Sequence, residues 1–346
     1  MSDIAAIVVS YADPAATRKA VWSLLDQSSP PREVLVVDND PAGATRRALD
    51  GEETSAGVRV LHPGVNLGYT GAANLAAGQA QGQWLFFLNP DAVAAKDCLR
   101  RLLEAVDDRD VAIVGAQVLL PDGRVNAGDN PINIAGVSWS GGYGQPRERG
   151  PARDTAAVSG AALLARRDAF AQLGGLCPHF FMYVDDTDLA WRARISGMRV
   201  RYCPEAVVVH DYDFDKGAHK WFYLERNRLW ALLSNLRLST LALLAPLLLA
   251  AEAAILARAI SEGWLVQKVR AWGSLLAHLP SLARWRRAVQ AKRSVSDFRV
   301  LARFSGDVQT QLIDIRLRRP INVCLSGYRR LVLGVLGLFD RRPPVR

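Results

Sequence analysis

Ile4–Ser10 (IAAIVVS) and Glu33–Asp38 (EVLVVD) are short, apolar, β-branched runs with almost no polar alternation. Runs of that kind predict strands buried on both faces of a sheet. Helical spacing at Thr17–Asp26 separates them, and behind them follow a third strand at Val58–Leu61, a helix at Ala72–Gln79 and a fourth strand at Trp84–Leu88, stopped by Asn89-Pro90-Asp91. Apolar strands alternating with helices predict an α/β fold built on a parallel sheet. In open sheets of this class ligands bind beyond the C-terminal strand ends, which brings Tyr11, Asp38 and Asp91 toward one crevice. Residues 121–156 are rich in Gly, Pro and Asn and predict a long surface loop. Strand character returns at Ala157–Ala165, a helix at Arg167–Leu173, then the acidic run Asp185-Asp186-Thr187-Asp188, and a strand at Ala206–Val209 that ends at His210.

From Trp221 onward the pattern changes to long helices. Leu236–Leu256 is almost wholly apolar apart from Ser239, Thr240 and Glu252. Its length approaches the ~20 residues of a membrane span, but Pro246 and Glu252 count against a simple span. The stretches LPSLARWRRAVQAKR and GYRRLVLGVLGLFDRR pair Trp, Leu and Phe with Arg, as helices lying in a membrane interface do. An ordinary helical domain with a solvated basic face gives the same pattern. The expected division is a first domain at 1–230 and a helical, basic, membrane-associating region at 231–346.

Charge sharpens that division. Residues 216–346 carry 23 Lys and Arg against 7 Asp and Glu, whereas residues 1–215 carry 20 against 27. An acidic front half suits a divalent metal or a catalytic carboxylate; a basic rear half suits anionic lipid, a phosphate-bearing substrate or nucleic acid. The basic half interleaves Arg with aliphatic runs more than with stacking aromatics, which argues against nucleic acid. Cys98, Cys177, Cys203 and Cys324 are widely spaced and form no CxxC pair, so neither a zinc site nor a disulfide framework is indicated. The start, MSDIAAIVVSYAD, has no basic n-region and reads as a strand, which puts the first domain on the cytoplasmic side.

Three groups of residues have the chemistry of a site. Asp38-Asn39, at a strand end, either caps a turn or accepts hydrogen bonds from a base or ribose. Asn66-Leu67-Gly68-Tyr69-Thr70-Gly71-Ala72-Ala73-Asn74 opens a helix with small residues and free N–H groups, an arrangement that receives a diphosphate or simply makes a loop. Asn89-Pro90-Asp91, Asp185–Asp188 and His210 together offer oxygen and nitrogen ligands for a divalent cation and a separate carboxylate base. Acids at 185–188 also suit a helix N-terminus, and His210 alone suits a core position.

In this order, IVVSY (7–11), VVDN (36–39), NLGYTGAAN (66–74), LNPDA (88–92) and FFMYVDDTDLAWRARISGMRV (180–200) followed by His210 resemble glycosyltransferase family 2, in particular its bacterial rhamnosyltransferase-like branch. VSGAALLARRDAF (158–170), which contains Gly160, is similar to the family's acceptor-side strand and helix, and YLERNRLW (223–230) to its exit from the catalytic domain. The resemblance implies a GT-A fold and an inverting transfer from a nucleotide-diphospho-sugar, assisted by Mg2+ or Mn2+. By position it implies that Ser10, Tyr11, Asp38 and Asn39 line the nucleotide pocket, that Asn66, Gly68 and Asn74 lie close to the nucleotide or diphosphate, and that Asn89 and Asp91 form the donor-side motif. Asp91 and His210 would then hold the metal and Asp186 would be the general base. Asp185, Asp188 and Gly160 would support the acceptor side, with Arg192 bracing Asp188 one turn on.

Two positions depart from the pattern: Asn89 stands where the metal motif usually has Asp, as in the rhamnosyltransferase-like branch, and Ala12 where that branch commonly has Asn. The branch implies dTDP-rhamnose as donor, with UDP- and GDP-sugars as alternatives, and a cell-envelope glycan or polyprenyl-linked saccharide as acceptor at an anionic membrane surface. Assembly into a homo-oligomer stays open. A Rossmann oxidoreductase would show GxGxxG after the first strand, where this chain has SYADPAAT. A non-catalytic sugar-nucleotide-binding or scaffold protein is the alternative from another class.

Overall fold

The computed structural model describes residues 2–50, 57–210, 217–309 and 315–340, so Arg341 and Arg342 of the basic tail lie outside the described residues. It divides into two compact units. One contains residues 1–130, 140–193 and 198–215; the other contains 131–139, 194–197 and 216–346.

The first unit begins β1 (Ile4–Ser10), α1 (Pro14–Leu25), β2 (Glu33–Asp38), α2 (Ala44–Ala48), β3 (Val58–Leu61), α3 (Gly68–Gln79), β4 (Trp84–Leu88), β5 (Ala92–Ala94) and α4 (Cys98–Glu104). It continues β6 (Val111–Leu119), β7 (Val125–Ala127), β8 (Asp129–Asn130), β9 (Arg153–Asp154), β10 (Ala157–Val158), β11 (Ala162–Arg166), α5 (Arg167–Leu173), α6 (Asp185–Ile195, whose last two residues group with the second unit) and β12 (Arg199–His210). The main sheet has the order β3-β2-β1-β4-β11-β6-β12-β5. β1 to β4 are parallel neighbours, as the apolar runs predict.

The far half corrects the expectation of a parallel sheet. β11 runs antiparallel to both β4 and β6, and β5 runs antiparallel to β12, so the sheet is mixed. Apolar periodicity reports burial on two faces but not strand direction, and both faces are buried here. Every residue of β1 and β6 is buried. One layer of core joins Ile4, Ala6, Val8 and Phe86 to Val21 and Leu24 of α1 and Leu99 of α4.

Local chemistry starts the helices at the site end of this sheet. α1 has Pro14 in its first turn, and the Asp13 side chain accepts a hydrogen bond from the Ala16 N–H at 2.9 Å. That combination presets the first turn and satisfies one of its orphan donors. The helix therefore begins three residues earlier than apolar spacing alone indicates. α3 likewise begins at Gly68 rather than Ala72, so the small-residue loop is itself the first turn.

The second unit contains α7 (His219–Asn235), α8 (Leu238–Ser261), α9 (Leu265–Ala277), α10 (Leu279–Ala291), α11 (Asp297–Leu301) and α12 (Ile315–Gly337). The expected boundary at 230/231 falls inside α7, and the compact units divide ahead of that helix, at 215/216. The reason is a buried ionic cluster. Arg228 of α7 pairs with Glu225 at 2.9 Å and with Glu252 of α8, and Lys268 of α9 pairs with Glu225 and, at 2.8 Å, with Glu252. Lys268 is fully buried, and Trp272 donates its indole N–H to Glu252 at 2.9 Å. Buried charges persist only when paired and hydrogen-bonded, so this network fixes α7, α8 and α9 in one register.

Glu252, the polar interruption of the apolar stretch, is thus turned toward its own unit. The rest of α8 is largely exposed, with Leu238 and Leu249 at 71% and 70% of their full surface. Among the described residues α8 is the one helix long and apolar enough to cross a membrane.

Candidate active site

Sequence order brings the predicted donor-side residues to the strand ends, and most of them turn out to hold loops. Ser10 ends β1 fully buried, its hydroxyl shared with Thr17 (2.6 Å) and Thr45 (2.7 Å). Asp38 ends β2, also fully buried, and accepts from the backbone N–H of Arg46 in the first turn of α2 at 2.7 Å. Asn39 accepts from the Leu67 N–H (2.8 Å) and donates to Asn66 (2.9 Å) and to the Gly68 carbonyl (3.2 Å). Asn66 in turn accepts from the Gly68 N–H at 2.8 Å. Asn74 spends both polar atoms on the backbone of Leu176, at 2.8 and 2.9 Å. Tyr11 and Asn66 are the two of this set open to solvent. Ser10, Asp38, Asn39 and Asn74 thus hold the loops around the strand ends. Ala12, the departure noted above, sits at φ +56°, a conformation that Asn tolerates better than Ala.

A strained loop crosses from α5 to α6. Phe181, Tyr183 and Val184 all have φ between +65° and +67°, which is costly for any side chain and most of all for β-branched Val184. Phe181 is the centre of a γ-turn closed by Met182 N–H to Phe180 C=O at 2.8 Å, and its own carbonyl accepts from the Thr70 N–H at 3.1 Å. The turn packs onto Gly68, itself at φ +68°, where an added Cβ would stand 2.4 Å from the Phe181 ring and 2.6 Å from its carbonyl oxygen. Gly68 is required by contact as well as by dihedral. Gly68→Ala is expected to cost about 2–3 kcal/mol of stability; an unchanged Tm would show that Phe181 is free to move.

That loop delivers Asp185 and Asp186 to the start of α6. One Asp186 oxygen accepts from the Gly160 N–H at 2.8 Å; the other accepts from Thr187 N–H at 2.6 Å and Thr187 hydroxyl at 3.2 Å. A Cβ on Gly160 would lie 3.2 Å from the Asp186 Cβ, so the close approach uses glycine. Behind the pair, fully buried Asp188 binds Arg192 at 2.7 Å, and Arg192 donates to the Leu173 carbonyl at 3.0 Å. Tyr69, half-buried on α3, places its hydroxyl 3.5 Å from the Gly160 carbonyl. Its phenol is pushed well above the usual range, first by burial and then by the charges of Asp185 and Asp186. Tyr69 and Phe181 are the site residues that sequence reasoning missed; Tyr69 lay inside the quoted loop, and an aromatic hydroxyl among small residues was the available signal.

Burial, followed by the neighbouring charge of Asp186, pushes Asp185 up to about 8. Burial raises Asp186 as well, against the pull of its Gly160 and Thr187 donors. Donors aimed at a carboxylate favour its ionised form, and the two carboxyls titrate as one coupled pair. A folded carboxyl that keeps its proton to higher pH than the unfolded one makes stability fall as pH climbs from about 4 toward 8. Asp185→Asn, which cannot titrate, is therefore expected to melt above the parent at pH 8, with the gap closing toward pH 4. A gap that widens toward acid would contradict this assignment.

Asp91 and His210 meet because β5 pairs with β12 in a register that sets Ala92 opposite His210. The turn at 89–92 is closed by Ala92 N–H to the Asn89 carbonyl at 3.1 Å, and Asn89 N–H binds the Ala161 carbonyl at 3.0 Å, next to Gly160. His210 Nε2 lies 2.8 Å from Asp91 Oδ1; the imidazole is buried and the carboxylate about one-third exposed. At that distance the two are hydrogen-bonded to each other, and a carboxylate oxygen and an imidazole nitrogen are donor types that Mn2+ accepts. Among the described residues no cluster of three or more His, Cys, Asp or Glu forms a metal cage. A cation shared with a bound diphosphate needs no such cage.

The sequence model of glycosyl transferase family 2 matches residues 5–174. N-acetylglucosaminyl-diphospho-decaprenol L-rhamnosyltransferase of Mycobacterium tuberculosis is 30% identical over 237 residues, covering 61% of this chain and 76% of that protein. The O-antigen biosynthesis protein RfbC of Myxococcus xanthus is 29% identical over 220 residues, 59% of this chain and 17% of that one. Among solved structures, GalNAc-T7 with UDP, GalNAc and Mn2+ aligns at TM-score 0.56 and 13% identity, over 67% of this chain and 47% of its own. A mannosyltransferase from Pyrobaculum calidifontis with GDP-Man and Mn2+ aligns at 0.50 and 19%, over 98% and 88%. Both likenesses bear on the fold, which is GT-A with a helical C-terminal region. The chain belongs to glycosyltransferase family 2 and is a rhamnosyltransferase-like glycosyltransferase.

Proposed function

We propose that this glycosyltransferase moves rhamnose, with inversion, from dTDP-rhamnose to a polyprenyl-diphosphate-linked saccharide of the cell envelope, at the cytoplasmic face of the membrane. The observation that carries the reading is the Asp186 carboxylate held by Gly160 and Thr187 at the start of α6. A base must be aimed before it can take a proton, and those donors fix its direction without neutralising it. Asp186 takes the acceptor hydroxyl proton while that oxygen attacks the anomeric carbon in line with the departing diphosphate. Tyr69 and the carbonyl of Gly160 border the acceptor side. Asn66 and Tyr11 face the nucleotide, on loops held by Ser10, Asp38, Asn39 and Asn74. Asp91 and His210 would hold a divalent cation, which supplies positive charge to the leaving diphosphate when bound.

The donor and acceptor come from the printed activity of the mycobacterial relative and from the branch resemblance. Membrane location is supported by the exposed apolar surface of α8 and by the excess of Lys and Arg in residues 216–346. A thermal-shift panel of nucleotide sugars with and without Mn2+ tests the donor. At a hundredfold excess over Kd the bound donor adds about 2.7 kcal/mol of stability, so dTDP-rhamnose is expected to raise Tm by several degrees. A response to UDP- or GDP-sugars and none to dTDP-rhamnose would replace the donor.

A further inference from the structure

Tyr69 has an O–H group that the displacement at Asp186 leaves without a task. It lies in the first turn of α3, between Gly68, whose N–H and carbonyl bind Asn66 and Asn39, and Thr70, whose N–H binds the Phe181 carbonyl. Backbone held on both sides aims the ring before any ligand arrives, which lowers the entropy cost of using it. The residue is half-buried, and its hydroxyl stands 3.5 Å from the Gly160 carbonyl. A hydrogen bond from O–H to oxygen spans about 2.5–3.0 Å, so this contact leaves the donor poorly satisfied. A closer acceptor atom would take it over.

Gly160 joins that donor to the base. Its N–H binds Asp186 at 2.8 Å and its carbonyl meets the phenol, so no more than the backbone of one residue separates the two side-chain groups. One sugar ring with two hydroxyls reaches across that interval. Burial, then the charges of Asp185 and Asp186, keep the phenol protonated, so it enters any contact with its O–H intact.

We infer that Tyr69 determines acceptor specificity: its O–H donates to a second hydroxyl of the acceptor sugar while the attacking hydroxyl faces Asp186. The acceptor is therefore a sugar that carries both hydroxyls, and one that lacks the second leaves a half-buried phenol poorly paired. That asymmetry is what makes a polar site reject an analogue missing one hydroxyl. The inference rests on Asp186 as base, proposed above, and names the group that reads the acceptor beside it.

The test is steady-state kinetics of the full-length chain with a short-chain polyprenyl-diphosphate-linked saccharide and its monodeoxy analogues, in the parent and in Tyr69→Phe. Phe keeps the ring and its packing and removes the O–H alone. In the parent, one analogue that retains the attacking hydroxyl is expected to lose about tenfold in kcat/KM, mainly through KM. Tyr69→Phe is expected to lose about tenfold with the complete acceptor, to keep its Tm and its Kd for nucleotide sugar, and to show no further loss with that analogue. An equal loss for every acceptor, the mark of a residue that only packs the loop, overturns the inference, and so does an unchanged KM for the complete acceptor in Tyr69→Phe. Asp186→Asn separates the two proposals. Transfer lost in that variant while Tyr69→Phe still discriminates the analogue removes this inference alone, and near-parental transfer in Asp186→Asn removes the proposed base regardless of Tyr69.

Discussion

Asp186→Asn is expected to cut kcat for sugar transfer by 10²–10⁴-fold, roughly 3–5 kcal/mol of barrier, while leaving the Kd for nucleotide sugar within about twofold. Asn keeps the volume but its single oxygen accepts from Gly160 or from Thr187, not from both, so the variant's Tm is measured alongside its turnover. What it lacks is basicity. Burial raises Asp186, so the rising limb of kcat/KM against pH is expected above the usual carboxylate range, and Asp186→Asn should flatten that limb. Asp185→Asn gives the complementary result. It leaves the base and the burial that raises it in place, so the reaction and its rising limb should both be retained. Near-parental turnover in Asp186→Asn would move the base elsewhere in the cleft.

Asp91→Ala is expected to act on the donor side. It removes the carboxylate of a two-residue donor set and leaves His210 without the partner 2.8 Å away. Donor affinity measured with Mn2+ should fall by about tenfold or more, and the difference between titrations with and without Mn2+ should disappear. Conservative Asp91→Asn should recover part of the affinity, because an amide oxygen still reaches a cation without the charge. A parent protein whose donor affinity is the same with and without Mn2+ would show that Asp91 and His210 form a structural pair.

Much of the fold was written in the local pattern. β1, β2, β3 and β4 coincide with the apolar runs because buried parallel strands have no polar face to confuse the reading. The antiparallel insertion of β11 between β4 and β6 was not legible, since partner and direction are tertiary facts. Helix starts were misjudged where capping decides them, at Asp13-Pro14 and at Gly68, ahead of the apolar residues. The expected boundary at 230/231 lies inside α7, where Glu225 and Arg228 meet Glu252 and Lys268, contacts that a sequence does not display.

The candidate site divides in the same way. The family resemblance brought out Asp91, Asp186 and His210, and the structure joins Asp91 to His210 directly and ties Asp186 to Gly160. Ser10, Asp38, Asn39 and Asn74 carry the right polar groups at the right strand ends, yet their hydrogen bonds go to the protein itself. No one-dimensional pattern distinguishes a polar side chain that meets a ligand from one that builds the wall behind it. The left-handed stretch at Phe181, Tyr183 and Val184 was hidden for a related reason: these residue types disfavour that conformation, and the packing against Gly68 imposes it.

The central claim is a single in-line displacement with Asp186 as base, and stereochemistry tests it most directly. The product formed from dTDP-rhamnose and a polyprenyl-diphosphate-linked acceptor is to be analysed by NMR at the transferred anomeric centre. Inversion relative to the donor is the predicted result. Retention of configuration would exclude a single in-line displacement and would contradict the role given to Asp186.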